Sequence, residues 1–261
     1  MREFEARLGV RLLNRTTRSV ALTEQGQALL DRIVPLFHGF DQAMAELTAE
    51  GADVAGSLRL NLSRVAAMYL LAPHLGAFHQ AHPAVTLDIT IDDTFSDIVA
   101  GRFDAGIRLG ETLEKDMVAV RMGGRRESMV IASPGLIERL GEPESPHDLH
   151  RYPCIRFCWP GARAIYRWEF EKEGHVVEVD VEGPLIANDT AMMLAAAEQG
   201  LGFAHLLDIE ASARVDAGRL VRLLADWTPP FGAFYLYHPS ARQMPKQLRA
   251  FIDFLSGRLE G

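Results

Sequence analysis

The sequence is poor in the features on which several protein classes depend. It has two cysteines, Cys154 and Cys158, in 261 residues. That is too few for a disulfide scaffold, and a lone C-x-x-x-C lacks the second pair a zinc site needs. No run of about 18 apolar residues is available to span a membrane. There is no charged-then-apolar leader, which argues against an exported solute receptor and for a bacterial-type cytoplasm, where buried thiols stay reduced. The chain has no G-x-S-x-G elbow, H-E-x-x-H, Walker loop or dinucleotide G-x-G-x-x-G. His74, His79, His82, His147 and His150 have no third ligand at a diagnostic spacing. The expectation is a protein that is not an enzyme and uses no metal or cofactor.

What is present is a basic head on an acidic body. Arg2, Arg7, Arg11, Arg15 and Arg18 face only Glu3 and Glu5 in the first 18 residues, which is 5 − 2 = +3. The whole chain carries −8, so the rest carries −8 − 3 = −11. Such a head is either a polyanion-binding end or a solvated basic surface. Its pattern favours the first. Arg2 to Leu8 reads as the end of a helix stopped by Gly9. Two strand-like runs follow, Val10 to Leu13 and Ser19 to Leu22, with Asn14-Arg15-Thr16-Thr17-Arg18 as a polar turn between them. A helix followed by a basic-tipped hairpin is the back half of a winged helix-turn-helix. Arginines at its tip can enter a minor groove or meet phosphates, and Thr16 and Thr17 can bond phosphate oxygens.

Thr23 then serves as N-cap for a long helix. Leu30, Phe37 and Met44 are spaced by seven, as are Ile33, Phe40 and Leu47. These are a and d positions sustained for about two and a half heptads. The seam is expected to pair with a second copy of the chain; the alternative is packing onto its own domain. Pro35 is expected to kink this helix and removes one ladder bond. The helix is expected to end near Glu50, ahead of a hinge with Gly51, Asp53 and Gly56.

From Gly56 the pattern is α/β. Strands are expected at Leu58–Leu62, Val85–Ile91 and Asp104–Leu109, with helices at Arg64–Ala81 and Ser96–Gly101. Alternating strands and helices imply a mostly parallel sheet. A second βα-rich stretch, from about Arg126 to Asp226, includes strands at Met129–Ala132 and Val176–Val181 and a helix at Thr190–Gln199. The tail returns to a strand at Ala233–Tyr237 and a helix at Gln243–Leu255. Hydrophobic residues make up 48% of the chain, enough for a sizeable core.

The run LGVRLLNRTTR…LTEQG resembles the wing of LysR-type transcriptional regulators, with Leu8, Gly9, Leu12, Arg15, Thr16, Arg18, Leu22, Thr23 and Gly26 at the family's positions. GSLRLN, LLAPHLGAFHQAHPAVTLDI, FDAGIRLG and ND…AAAEQGLGFA resemble its effector domain. The resemblance covers essentially the whole chain, with a departure at Leu206-Leu207, where relatives often carry a proline. It implies a two-lobed, periplasmic-binding-protein-like α/β fold preceded by a partial winged helix-turn-helix and a linker helix. The implied domains are 1–26 (end of the recognition helix plus wing), 27–55 (linker helix and hinge) and 56–261 (effector domain). Lobe one would be about 56–125 with 229–261, and lobe two about 126–228. Met1 falls near the end of the recognition helix, so most of the base-reading element is absent from the sequence as written.

The implied function is transcription regulation by an effector bound between the lobes. The implied partners are promoter DNA, a small organic acid, a second copy or three further copies of the chain, and RNA polymerase, with no membrane. The alternative is a small-molecule-binding protein that has lost specific DNA binding and modulates full-length partners. In open α/β sheets ligands bind outside the carboxyl ends of strands. The residues there are Ser63 and Arg64, then Arg108, Leu109 and Gly110, then Asn188 and Asp189, with Phe203 and His205 nearby. Ser63 and Asp189 also read as helix caps. Arg64 opposes the dipole of its own helix, which a bound anion would explain and simple exposure to solvent would also permit. Arg108 is expected to face the cleft or to pair with a carboxylate such as Asp93. Phe203 is the expected apolar wall for an aromatic acid.

Overall fold

A computed structural model describes residues 5, 8–15, 20–23, 25, 26, 28, 29, 32, 33, 54–94, 98–110, 117–160, 164–239 and 244–259, with backbone alone for 13–15 and 20–22. In the head, strands β1 (Leu13–Arg15) and β2 (Val20–Leu22) form an antiparallel hairpin with Arg15 opposite Val20. Asn14 and Arg15 thus belong to the strand rather than to the turn. The Arg15 side chain and all of Thr16, Thr17 and Arg18 lie outside the described residues. Thr23 caps the next helix as expected: its Oγ1 accepts from Gly26 N at 3.0 Å and donates to Arg11 O at 2.6 Å. A Cβ on Gly26 would stand 2.0 Å from Leu12 O, so only glycine lets the helix approach the hairpin this closely. Of the expected dimer seam, Ile33 is described as helical and half-buried; Leu30, Phe37, Phe40, Met44 and Leu47 lie outside the described residues.

The body contains two five-stranded sheets. The first has the order β4-β3-β5-β14-β6, from β3 (Gly56–Leu62), β4 (Val85–Ile91), β5 (Ala105–Leu109), β6 (Met117–Met122) and β14 (Phe234–Pro239). β3 pairs parallel with β4 and β5, and β14 runs antiparallel to β5 and β6. Leu58, Leu60 and Leu62 are fully buried, but so is Asn61, because a central strand is covered on both faces. Helix α1 (Leu75–Ala81) and helix α5 (Lys246–Leu259) pack on this sheet, with Phe78 edge-on to Phe251 at 5.5 Å.

The helix expected over Arg64–Ala81 is not continuous. A π-helical stretch, Ala66–Leu71, and a 3-10 turn, Ala72–His74, precede α1. Pro73 has no N–H to return to Tyr69, which breaks the α-ladder at that point. Of the helix expected over Ser96–Gly101, residues 98–101 form turns, and Ser96 lies outside the described residues.

The second sheet has the order β11-β8-β12-β7-β13, from β7 (Ser128–Ala132), β8 (Cys154–Phe157), β11 (Leu185–Ala187), β12 (Phe203–Leu207) and β13 (Val221–Leu223). β11, β8 and β12 are parallel to one another. Helix α2 (Pro134–Leu140) packs on one face; helices α3 (Thr190–Glu198) and α4 (Asp208–Asp216) pack on the other. A hairpin of β9 (Trp168–Lys172) and β10 (His175–Val179) adds to the α2 side. Its two turn residues, Glu173 (φ 51°) and Gly174 (φ 78°), are both left-handed, as a tight hairpin turn requires.

The chain crosses between the sheets twice, after β6 and before β14. The crossings are tied together by Arg126 N to Gly232 O at 2.7 Å and Phe231 N to Arg126 O at 2.8 Å. Leu207 and Ile209, from the second sheet's side, pack against the core of the first.

Candidate functional site

The carboxyl ends of β3 and β5 in one lobe face those of β11 and β12 in the other, and ionic groups span the gap. After β3, Ser63 N donates to Ile107 O (3.1 Å), and Ser63 Oγ accepts from Ala66 N (3.3 Å), the cap expected of it. Arg64 follows at the surface. Its backbone N donates to Asp93 Oδ1 at 2.7 Å, and its Nε stands 3.4 Å from Asp189 Oδ2 and 3.9 Å from Asp93 Oδ2. The anion that balances this cation against its helix is therefore supplied by the protein, half of it by the opposite lobe. Asp189 is also the N-cap of α3, accepting from Met192 N at 2.9 Å.

Arg108, at the end of β5, donates to Asp92 O (3.0 Å) and to Asn61 Oδ1 (2.6 Å). Burial pulls its guanidinium below the usual value, while Asp92 and Asp93 oppose that shift. The carboxylate expected to take Arg108, Asp93, goes to Arg64 instead. Leu109 pairs with Phe234 in the ladder. Gly110 (φ 85°) donates to Ala233 O and accepts from the Tyr237 hydroxyl. Asn188 is exposed at the end of β11, beside the Arg64–Asp189 contact.

Phe203 and His205 do not line this gap. Both are buried under the β9–β10 hairpin, Phe203 against Tyr152 at 4.9 Å and His205 among Tyr166, Trp168 and Phe170. Inward alternation along β12 sends them to the α2 face of the sheet, away from the gap between the lobes. Phe203 is thus not available as an apolar wall there.

Three further residues belong to the junction. Glu210 is 2% exposed, and its Oε2 accepts from Leu207 N at 3.3 Å. Burial raises its carboxyl above the ordinary range, against hydrogen bonds from Thr190 and Leu207 that lower it. Tyr69, in the π-helical stretch of lobe one, shares a hydrogen bond with Arg214 of lobe two; burial and then the Glu210 charge raise its hydroxyl. Arg214 Nε lies 3.1 Å from Glu198 Oε1. Nothing in the local sequence pattern marks Glu210, Tyr69 or Arg214, because they meet only where one lobe packs on the other.

Cys154 is buried, and burial pushes its thiol up to about 12. Cys158 is half-buried, and neither cysteine is in a disulfide. Among the described residues no group of three His, Cys, Asp or Glu is placed to hold a metal ion, and no helix is long and apolar enough to cross a membrane.

The chain matches known proteins along nearly its whole length. The family model for the LysR substrate binding domain covers residues 51–260. The uncharacterized HTH-type transcriptional regulator YcaN of Escherichia coli is 37% identical over 98% of this chain and 83% of its own length. The HTH-type transcriptional regulator PgrR of the same organism is 35% identical over 98% and 85%. Among solved structures, CrgA of Neisseria meningitidis, a LysR-type transcriptional regulator, matches with a TM-score of 0.71 at 26% identity, over 100% of this chain and 88% of its own. Full-length AphB of Vibrio cholerae has the same fold, with a TM-score of 0.73 at 23% identity over 98% and 87%. The chain belongs to the LysR family, whose members are transcriptional regulators and not enzymes.

Proposed function

We propose that this regulator binds promoter DNA through its wing and is controlled by a small organic anion held between the lobes. The observation that carries the second half is the Arg64–Asp189 contact, a cation on one lobe neutralised by a carboxylate on the other across the gap. A ligand carboxylate that takes Arg64 displaces Asp189 and removes one tie between the lobes. It therefore binds the two lobe settings with different affinity, which is the condition for shifting their balance. The changed setting is passed to a dimer or tetramer paired through Leu30, Ile33, Phe37, Phe40, Met44 and Leu47. This alters the spacing of the wings that carry Arg15, Thr16, Thr17 and Arg18, and with it contact to the promoter and to RNA polymerase. The protein acts in the cytoplasm.

The test has two arms. Genomic duplexes selected by the full chain are titrated with wild type and R15A/R18A; the double variant should bind more weakly, with the salt slope reduced by about two. An unchanged slope rejects the wing. A panel of small carboxylates is then screened by thermal shift against wild type and R64A. Ligands that stabilise both equally reject the gap as their site.

A further inference from the structure

We propose that the first crossing between the lobes carries a binding site for a compact phosphate anion, in an open hollow lined by Arg121, Gly123, Gly124, Arg126 and Leu259. The hollow has a volume of about 450 Å³. It lies where β6 ends and the chain leaves the first sheet. β6 is an edge strand, three strands from β3 and so about 14 Å away across the sheet. Arg64 follows β3, so the hollow is separate from the Arg64–Asp189 contact.

The sequence supplies the charge. Residues 121–126, R-M-G-G-R-R, hold three arginines and no acid in a chain whose net charge is −8. The carboxylates close by do not cancel them. Glu127, the next residue, is held by Arg222 at 2.9 and 3.0 Å. Asp208, at the start of α4, meets Arg126 alone, with Oδ2 at 3.6 Å from Nη1. Arg121 and Arg125 form no ion pair among the described residues.

The backbone gathers two of these cations around a glycine pair. Arg121 Nε donates to Gly123 O at 3.1 Å, which folds the guanidinium back over the turn. A Cβ on Gly124 would stand 3.6 Å from Arg126 Nη2, so the second guanidinium lies beside that glycine. Arg126 Nε donates to Arg125 O at 3.1 Å. The terminal nitrogens of Arg121 have no acceptor among the described residues, and neither do the N–H groups of Gly123 and Gly124. Gly123 adopts a left-handed φ of 76°, and a Cβ there would stand 3.4 Å from Leu259 Cβ and O at the end of α5. The bare pair lets an anion approach the backbone as closely as it approaches the arginines.

The chemistry defines the ligand. Guanidinium groups only donate, and their planar forks suit phosphate oxygens. Donors from two side chains and a backbone turn match the several oxygens of a tetrahedral phosphate better than the planar pair of one carboxylate. Leu259 is the one apolar side chain in the lining, so the hollow favours a compact polyanion over an aromatic acid. Asp208 competes with the ligand for Arg126.

The test uses the full chain and pyrophosphate as probe, titrated calorimetrically in chloride at constant ionic strength. Binding should be saturable at one anion per chain, with malonate weaker by about tenfold. R121Q and R126Q should each raise the pyrophosphate Kd by about tenfold, with circular dichroism unchanged. R121Q alters an exposed side chain and keeps the test valid should R126Q disturb the crossing. D208N, which removes the competing carboxylate, should tighten binding. R64A and R139Q, the latter at an exposed position on α2, should leave the Kd unchanged. No saturable binding means that the arginines serve only solvent and the last turn of α5, and overturns the site. An equal loss in R121Q and R139Q reduces the effect to net charge and also overturns it. Binding lost in R64A but kept in R121Q overturns it as well, and puts the anion in the gap between the lobes.

Discussion

His205 makes the stability of this protein sensitive to mild acid. Its ring is 6% exposed and sandwiched by Trp168 and Tyr166, with Phe170 beside it. Burial lowers its pKa from 6.5 to about 4. Between those two values the unfolded chain binds a proton that the folded chain refuses, so stability rises with pH across the window and falls on acidification. At 1.36 kcal/mol per pH unit the full effect is about 3 kcal/mol, of which about 2 kcal/mol is lost between pH 7 and pH 5. For a body of this size that is a fall in Tm of roughly 4–8 °C. The assay is thermal unfolding at constant ionic strength between pH 5 and pH 7, for wild type and H205Q. The variant starts from its own Tm, and only its slope matters: it should lose most of the wild-type decline. An equal slope in H205Q would refute a buried neutral imidazole.

The Arg64–Asp189 contact is half-exposed, at 47% and 40%, so a double-mutant cycle of R64A and D189N should give a coupling of only about 0.2–1 kcal/mol, disappearing in 1 M salt. A coupling that survives the salt would contradict an exposed pair. D189A, which also removes the cap on Met192 N, should cost about 1 kcal/mol more than D189N in the same unfolding series. Glu210 works against His205: its folded pKa is raised, so its contribution is present below 4.5 and lost as pH rises through the folded value. E210Q should therefore gain on wild type as pH rises, and parallel Tm profiles would rule this out. G183A should destabilise by about 3 kcal/mol or prevent folding, because its Cβ would stand 2.0 Å from Cys154 O and 2.5 Å from Cys154 N; an unshifted denaturant midpoint would show that the approach of β11 to β8 is looser. A thiol reagent at pH 8 should modify Cys158 quickly and Cys154 only on unfolding, and two fast thiols would disprove the burial that lifts Cys154 to about 12.

Local pattern alone was enough for the regular parts of the molecule. Alternation of Leu58, Leu60 and Leu62, and of Val85, Leu87, Ile89 and Ile91, marks strands because side-chain period follows backbone geometry wherever one face is buried. Thr23 and Asp189 read correctly as caps because a cap bonds within its own turn. Ser63 and Arg64 could be placed at a strand end for the same reason. The failures that concern the junction involve distance along the chain. Pro73 was visible, but not the π-helical stretch that absorbs it and carries Tyr69 toward Arg214. Asp93 was a reasonable partner for Arg108, yet the packing of β3 against β5 brings Asn61 to Arg108 and leaves Asp93 to Arg64. Phe203 looked available for a ligand because nothing nearby in sequence covers it; the β9–β10 hairpin and Tyr152 do so from elsewhere in the chain. The same hairpin buries His205 and sets Trp168 against it. Which residues can sit on a strand is decided by neighbours one or two positions away, whereas which charge meets which, and which ring is sealed from water, depends on how two separately formed sheets pack across a junction the chain crosses twice.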